Sequence, residues 1–158
     1  MVIKFGKFFK KSFTNEISCF QYDINQNYYT LIREKQKEGF TQCIITSNIM
    51  IEIMEYFISE GNSIISIEFM VEDAEIENKI NFIVESMKNN SNYWDILKNE
   101  ILFLSQNDCI EVKKIEFKNN NKSEYTFSIL VNGIVIIPED KFNSISKKIS
   151  TIIEREII

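Results

Sequence analysis

Histidine is absent from the 158 residues. That removes Ser-His-Asp and Cys-His catalysis, imidazole acid–base chemistry and His-ligated metals together. Glycine and proline are scarce as well, at four and one. Gly6, Gly39, Gly61 and Gly133 are too dispersed for a phosphate loop of the GxGxxG or Walker type. Three cysteines, Cys19, Cys43 and Cys109, stand far apart with no CxxC pair. Neither a zinc knuckle nor a disulfide framework follows from such spacing. No apolar run reaches the roughly 18 residues of a membrane span, and the opening segment has lysines but no stretch apolar enough for a signal peptide. Free, unpatterned cysteines fit a reducing compartment, so a cytoplasmic protein is expected.

What is present is a chain 44% hydrophobic and 26% charged, near the globular average. It is long enough to bury roughly two-thirds of its unfolded surface without staples. A single compact domain over 1–158 is expected, with 1–13 as a basic, aromatic N-terminal arm. Ile occurs 30 times, Asn 17 and Lys 16, against one Ala and two Arg. An AT-rich genome, bacterial or phage, produces that skew without selection on function, and Asn119-Asn120-Asn121 then reads as loop filler. The net charge is −5, unevenly spread: residues 1–13 hold four lysines and no acid, and residues 14–158 carry 14 basic against 23 acidic groups. An acidic body repels phosphate and disfavours nucleic acid. It favours a basic partner, with steering that fades as salt rises.

In the arm, Phe5, Phe9 and Phe13 share a helical face. It reads as a terminal segment docking its aromatics on the core with the lysines solvated, in preference to an interfacial helix on anionic lipid. Beyond it, strands are expected at 16–24, 42–46 and 63–71, with a helix over 25–38 that stops at Gly39. A second helix, capped by Ser47 or Asn48, carries the apolar stripe Ile49, Met50, Ile53, Met54, Phe57 and ends at Gly61. This strand–helix–strand order implies one βαβ crossover and a parallel pair. Asp73 is a good N-cap for the next helix, with Glu75 and Glu77 in its first turn, and Trp94, Leu97, Ile101 and Leu104 share a face of the one after. Segments 109–118, 124–131 and 134–137 form an antiparallel meander, with a type I′ hairpin at Asn132-Gly133 and a β-bulge near Lys113-Lys114. Pro138 opens a C-terminal helix at its first position, with apolar Phe142, Ile145, Ile149 and Ile152. The fold class is α+β: a mixed sheet with one βαβ crossover, a three-stranded antiparallel meander and helices packed on the sheet.

Without histidine, acid–base work falls to carboxylates, Lys, Tyr or Cys. Glu52 and Glu55, three apart, project from one helix face. The Glu72-Asp73-Ala74-Glu75-Ile76-Glu77 cluster is explained by capping and dipole complementarity, and lacks the ligand spacing and turn glycine of a calcium loop. Glu111-Val112-Lys113 resembles the ExK half of the metal-dependent PD-(D/E)xK nucleases. The resemblance covers three residues, and it implies an upstream acid on a neighbouring strand, for which Glu68 is the available residue. Cys19 and Cys43 read as core fillers.

The leading expectation is a non-enzymatic partner-binding protein: an immunity-type inhibitor of a basic toxin or effector in a bacterium or phage. Its expected contact residues are Glu52, Glu55, Glu72, Glu75 and Glu77. No catalytic residue, metal or cofactor is assigned. The alternatives are a metal-dependent hydrolase using Glu68, Glu111 and Lys113, and a structural subunit of a bacterial or phage assembly.

Overall fold

A computed structural model describes residues 2–157. In chain order come β1 (Ile3–Lys11), β2 (Ile17–Tyr22), α1 (Tyr28–Lys37), β3 (Phe40–Gln42), α2 (Ser47–Ser59) and β4 (Asn62–Phe69). They are followed by α3 (Ala74–Met87), α4 (Tyr93–Asp108), β5 (Val112–Asn119), β6 (Tyr125–Leu130), β7 (Ile134–Pro138) and α5 (Phe142–Glu156). The fold is α+β and ends in a helix, as the patterning implied. Residues 1–45 with 127–158 form one compact unit, and residues 46–126 form another.

In the first unit the basic opening is a strand. The helical reading of Phe5 and Phe9 fails because an i,i+4 pair also shares one face of a strand. One edge of β1 pairs antiparallel with β2, Phe5 opposite Tyr22 through Lys10 opposite Ile17. Along its other edge Ile3–Lys7 pair with β7 and Phe9–Lys11 with β3, both antiparallel. The switch falls at Phe8, whose N–H donates to Gly133 O at 2.9 Å and whose carbonyl accepts from Cys43 N at 3.4 Å. Being central, β1 is buried on both faces from Gly6 to Phe9, which erases the alternation that marks a half-buried strand. The strand pairs among the described residues are all antiparallel, where a mixed sheet was expected, and β2 and β3 both pair with β1.

Gly6 lets α5 lie against β1, since a Cβ there would meet Phe142 Cζ at 2.5 Å and Cys19 Sγ at 2.8 Å. Gly133 does the same work at the strand switch: φ is +82° and a Cβ would stand 2.7 Å from Cys43 O. The hairpin around it departs from type I′, because Gly133 alone of the Asn132-Gly133 pair has a positive φ. With Ile129 opposite Val135 and Gly133 N–H donating to Leu130 O at 2.9 Å, the loop is the three-residue form with glycine at the bulge. Pro138 ends β7 instead of opening the helix; a 3₁₀ turn over Glu139–Lys141 intervenes before α5. Phe142, Ile145, Ile149, Ile152 and Ile153 then form the buried face of α5.

In the second unit β4 and β5 pair antiparallel, and α2, α3 and α4 accompany them. The expected bulge is present: Glu68 stands opposite Lys114 and the next pair is Phe69 with Val112, so Lys113 is the extra residue. The shift keeps Val112, Ile115 and Phe117, all at 0% exposure, in one buried set. Asp73 caps α3, its carboxylate accepting from Glu75 N at 2.9 Å and Ile76 N at 3.2 Å. At α2 the cap is Thr46, one residue earlier than expected, its hydroxyl accepting from Ile49 N at 3.4 Å. That frees Ser47 for another contact. Among the described residues no helix is long and apolar enough to cross a membrane.

Candidate functional site

The two units divide the charge. Residues 46–126 carry fifteen acidic against seven basic side chains, a net of −8, while the remaining residues carry eight against eleven, a net of +3. All five acids expected to meet a partner lie in the negative unit. Glu72 and Glu77 are exposed and, with Glu68 from β4, line one groove of about 320 Å³ to which Lys113 and Asn81 also contribute. Local structure explains the gathering. Strand β4 ends just before the acidic turn, Asp73 turns that segment into α3, and the bulge brings Lys113 to the same groove. Glu75 is exposed in the first turn of α3. Glu52 and Glu55 lie on α2, half-buried and exposed respectively, and neither lines the groove. Among the described residues none of Glu52, Glu55, Glu68, Glu72, Glu75 or Glu77 is within ion-pair distance of a lysine or arginine.

Glu111 is placed differently from the ExK resemblance. Its carboxylate accepts from the hydroxyls of Ser105, at 2.5 Å, and Ser47, and Val112 N–H donates to Ser47 Oγ at 3.1 Å. Burial pushes the Glu111 carboxyl up, but the Ser105 and Ser47 hydroxyls and the Ser47 backbone together hold it below its ordinary value. A carboxylate so committed is a weak base, and Ser47 Oγ is already both donor and acceptor. The cluster is a brace joining the start of α2, the last turns of α4 and the start of β5. It leaves Glu68 and Lys113 together in the groove without Glu111. Among the described residues no three carboxylate or thiol side chains converge in a metal-binding group.

Lys7, in the first unit, is a group the sequence reading missed. It is 0% exposed, against the expectation that the arm lysines are solvated; Lys11 is exposed, and Lys4 and Lys10 are half-buried. Its ammonium donates to Asn132 O and lies 5.7 Å from the Phe9 ring centre and 5.3 Å from that of Tyr28. Burial lowers its pKa from 10.5 to about 8, outweighing the opposite pull of Cys43. Cys43 and Cys19 are pushed up to about 11 and about 12 by burial, so both thiols are inert core groups at neutral pH. Once 3–11 is taken as a strand, Phe5, Lys7 and Phe9 fall on one face, which is the signal that could have found this lysine.

No protein-family model, no curated protein and no solved structure matches this chain.

Proposed function

We propose that the chain is a non-enzymatic, cytoplasmic binding protein, an immunity-type inhibitor that occludes a basic toxin or effector in a bacterium or phage. The observation that carries this reading is the concentration of negative charge: a net of −8 on residues 46–126, with Glu68, Glu72 and Glu77 around one groove and none of the three within ion-pair distance of a lysine or arginine among the described residues. A lysine- or arginine-rich surface entering that groove meets carboxylates that need not first break an ion pair. Long-range attraction of this kind accelerates encounter and fades with salt. Glu52, Glu55 and Glu75 extend the negative surface beyond the groove. An acidic surface of this size also competes directly with a phosphate backbone, which suits inhibition of an effector that acts on nucleic acid.

The test is inhibition. A basic protein retained by the chain is assayed for nucleolytic or other toxic activity with and without an equimolar amount of it. Loss of activity at one equivalent supports the proposal; undiminished activity in the bound state overturns the inhibitor reading.

A further inference from the structure

Strand β2 pairs with β1 along one edge and, among the described residues, with no strand along the other. Unpaired edges invite a further strand, and folded proteins blunt them with charge, proline or bulges. β4, partnered by β5 in its own unit, follows that rule: its register is broken twice and it carries Glu68. β2 does not follow it. Its residues, Ile17–Tyr22, include no charge and no proline, and the register against β1 runs unbroken.

Alternation decides which backbone groups face outward. Lys11 N–H donates to Glu16 O at 2.9 Å, so in this antiparallel ladder Ser18, Phe20 and Tyr22 also exchange their hydrogen bonds with β1. Ile17, Cys19 and Gln21 therefore direct N–H and C=O to the free edge. Ile17 bears this out, because its N–H donates to the Glu154 carboxylate of α5 at 2.8 Å. Past the other end, Asp23 O accepts from Gln26 N at 2.8 Å as the chain turns away. Glu154 and Gln26 thus close the two ends of the edge. Between them the N–H and C=O groups of Cys19 and Gln21 have no hydrogen bond among the described residues, with Gln21 exposed and Cys19 half-buried.

These groups are self-complementary. When a second copy of β2 lies antiparallel about a two-fold axis at Phe20, Cys19 stands opposite Gln21 of the second copy, and Gln21 opposite its Cys19. Each pair exchanges both hydrogen bonds, and every open group of the edge is satisfied. Moving the axis to Cys19 requires the Ile17 N–H that Glu154 holds; moving it to Gln21 requires the Asp23 carbonyl that Gln26 holds. An axis between residues sets an outward residue against an inward one and is excluded. The side chains agree with the axis at Phe20. Phe20 meets Phe20 of the second copy, and Ser18 meets its Tyr22, pairs that stabilise a ladder. Charge is complementary across the seam. Lys10 stands opposite Ile17, and Asp23 of the second copy follows in the same row. Lys35, over the Phe20 ring at 3.9 Å, carries its own counter-ion in Glu38 at 3.0 Å.

We propose that the β2 edge is a self-association surface, on which two copies of the chain pair β2 to β2, antiparallel about Phe20, in a closed two-fold dimer. The contact uses the first unit alone and is independent of the inhibitor reading.

So short a seam gives a weak dimer, with a dissociation constant of about 10–100 µM. Sedimentation equilibrium of the full chain is expected to raise the mass from 18.7 kDa toward twice that value as concentration rises from about 5 to about 500 µM. Over the same range, amide exchange of the ¹⁵N-labelled chain should slow about threefold or more at Cys19 and Gln21 and stay constant at Ile17. Gln21→Pro removes one donor from each pair without touching the ladder to β1, so it should stay folded and monomeric. A mass fixed at one copy up to about 500 µM overturns the proposal. So does a dimer that persists in Gln21→Pro, or one that leaves exchange at Cys19 and Gln21 unchanged. A mass that grows beyond two copies overturns the closed arrangement.

Discussion

Replacing Lys7 by methionine is expected to stabilise the protein at neutral pH and to lose that benefit in alkali. The folded chain releases the Lys7 proton near pH 8 and an unfolded chain holds it to about 10.5. Between those values the unfolded state binds one more proton, so stability rises with pH. Below pH 8 both states are protonated and the burial penalty is fully felt; above 10.5 both are neutral and it is gone. The interval corresponds to about 3 kcal/mol at about 1.4 kcal/mol per pH unit. Losing the Phe9 and Tyr28 ring contacts of the ammonium offsets about 1 kcal/mol of that. Losing the donor to Asn132 O returns about 1 kcal/mol. Lys7→Met is therefore expected to gain about 1 kcal/mol at pH 7, a rise of about 2–4 °C in Tm. Calorimetry at pH 7 and pH 10 checks it: the gap between variant and parent should be positive at the lower pH and close or reverse at the higher. A variant less stable at pH 7, or a gap independent of pH, refutes the account of Lys7 as a desolvated ammonium with no compensating anion.

Three further outcomes are expected. Glu111→Ala leaves the Ser47 and Ser105 hydroxyls without their shared acceptor and should cost about 2 kcal/mol in urea denaturation. Because the folded state holds the Glu111 carboxyl below its ordinary 4.5, its contribution is present above that pH and lost as pH falls below it, so the parent should show an acid-side loss that the variant lacks. Gly133→Ala, facing both a positive φ and Cys43 O, should cost about 2 kcal/mol or more by the same assay. Reversing Glu68, Glu72 and Glu77 to lysine should lower Tm by only a few degrees, about 1 kcal/mol from the loss of Glu77 in the first turn of α3, while slowing association with a basic partner by about tenfold or more at low salt, read by surface plasmon resonance.

Much of the architecture was legible because its signals were local. Asp73 caps α3, Gly39 and Gly61 take positive φ at the ends of α1 and α2, and the change of apolar phase between Val112 and Ile115 marks the bulge at Lys113. The central strand β1 was not. Coverage on both faces removes its alternation, and the Phe5–Phe9 spacing serves a helix and a strand equally. Missing β1 hid the burial of Lys7. Of the candidate site, the acidic character of the region and the turn at Glu72–Glu77 could be read along the chain. The approach of Glu68 to Glu72 and Glu77 could not, since it depends on how β4 leads into α3. Nor could the engagement of Glu111 by Ser47, which lies 64 positions away.

The central claim is that the acidic surface of residues 46–126 binds a basic protein. Affinity capture from a lysate of the source organism, with the parent chain and the Glu68→Lys/Glu72→Lys/Glu77→Lys variant side by side at low and high salt, tests it most directly. The account requires one basic protein retained stoichiometrically by the parent at low salt, released at high salt, and absent from the variant. Retention by the variant equal to that by the parent, or a captured partner that is acidic and indifferent to salt, would contradict it.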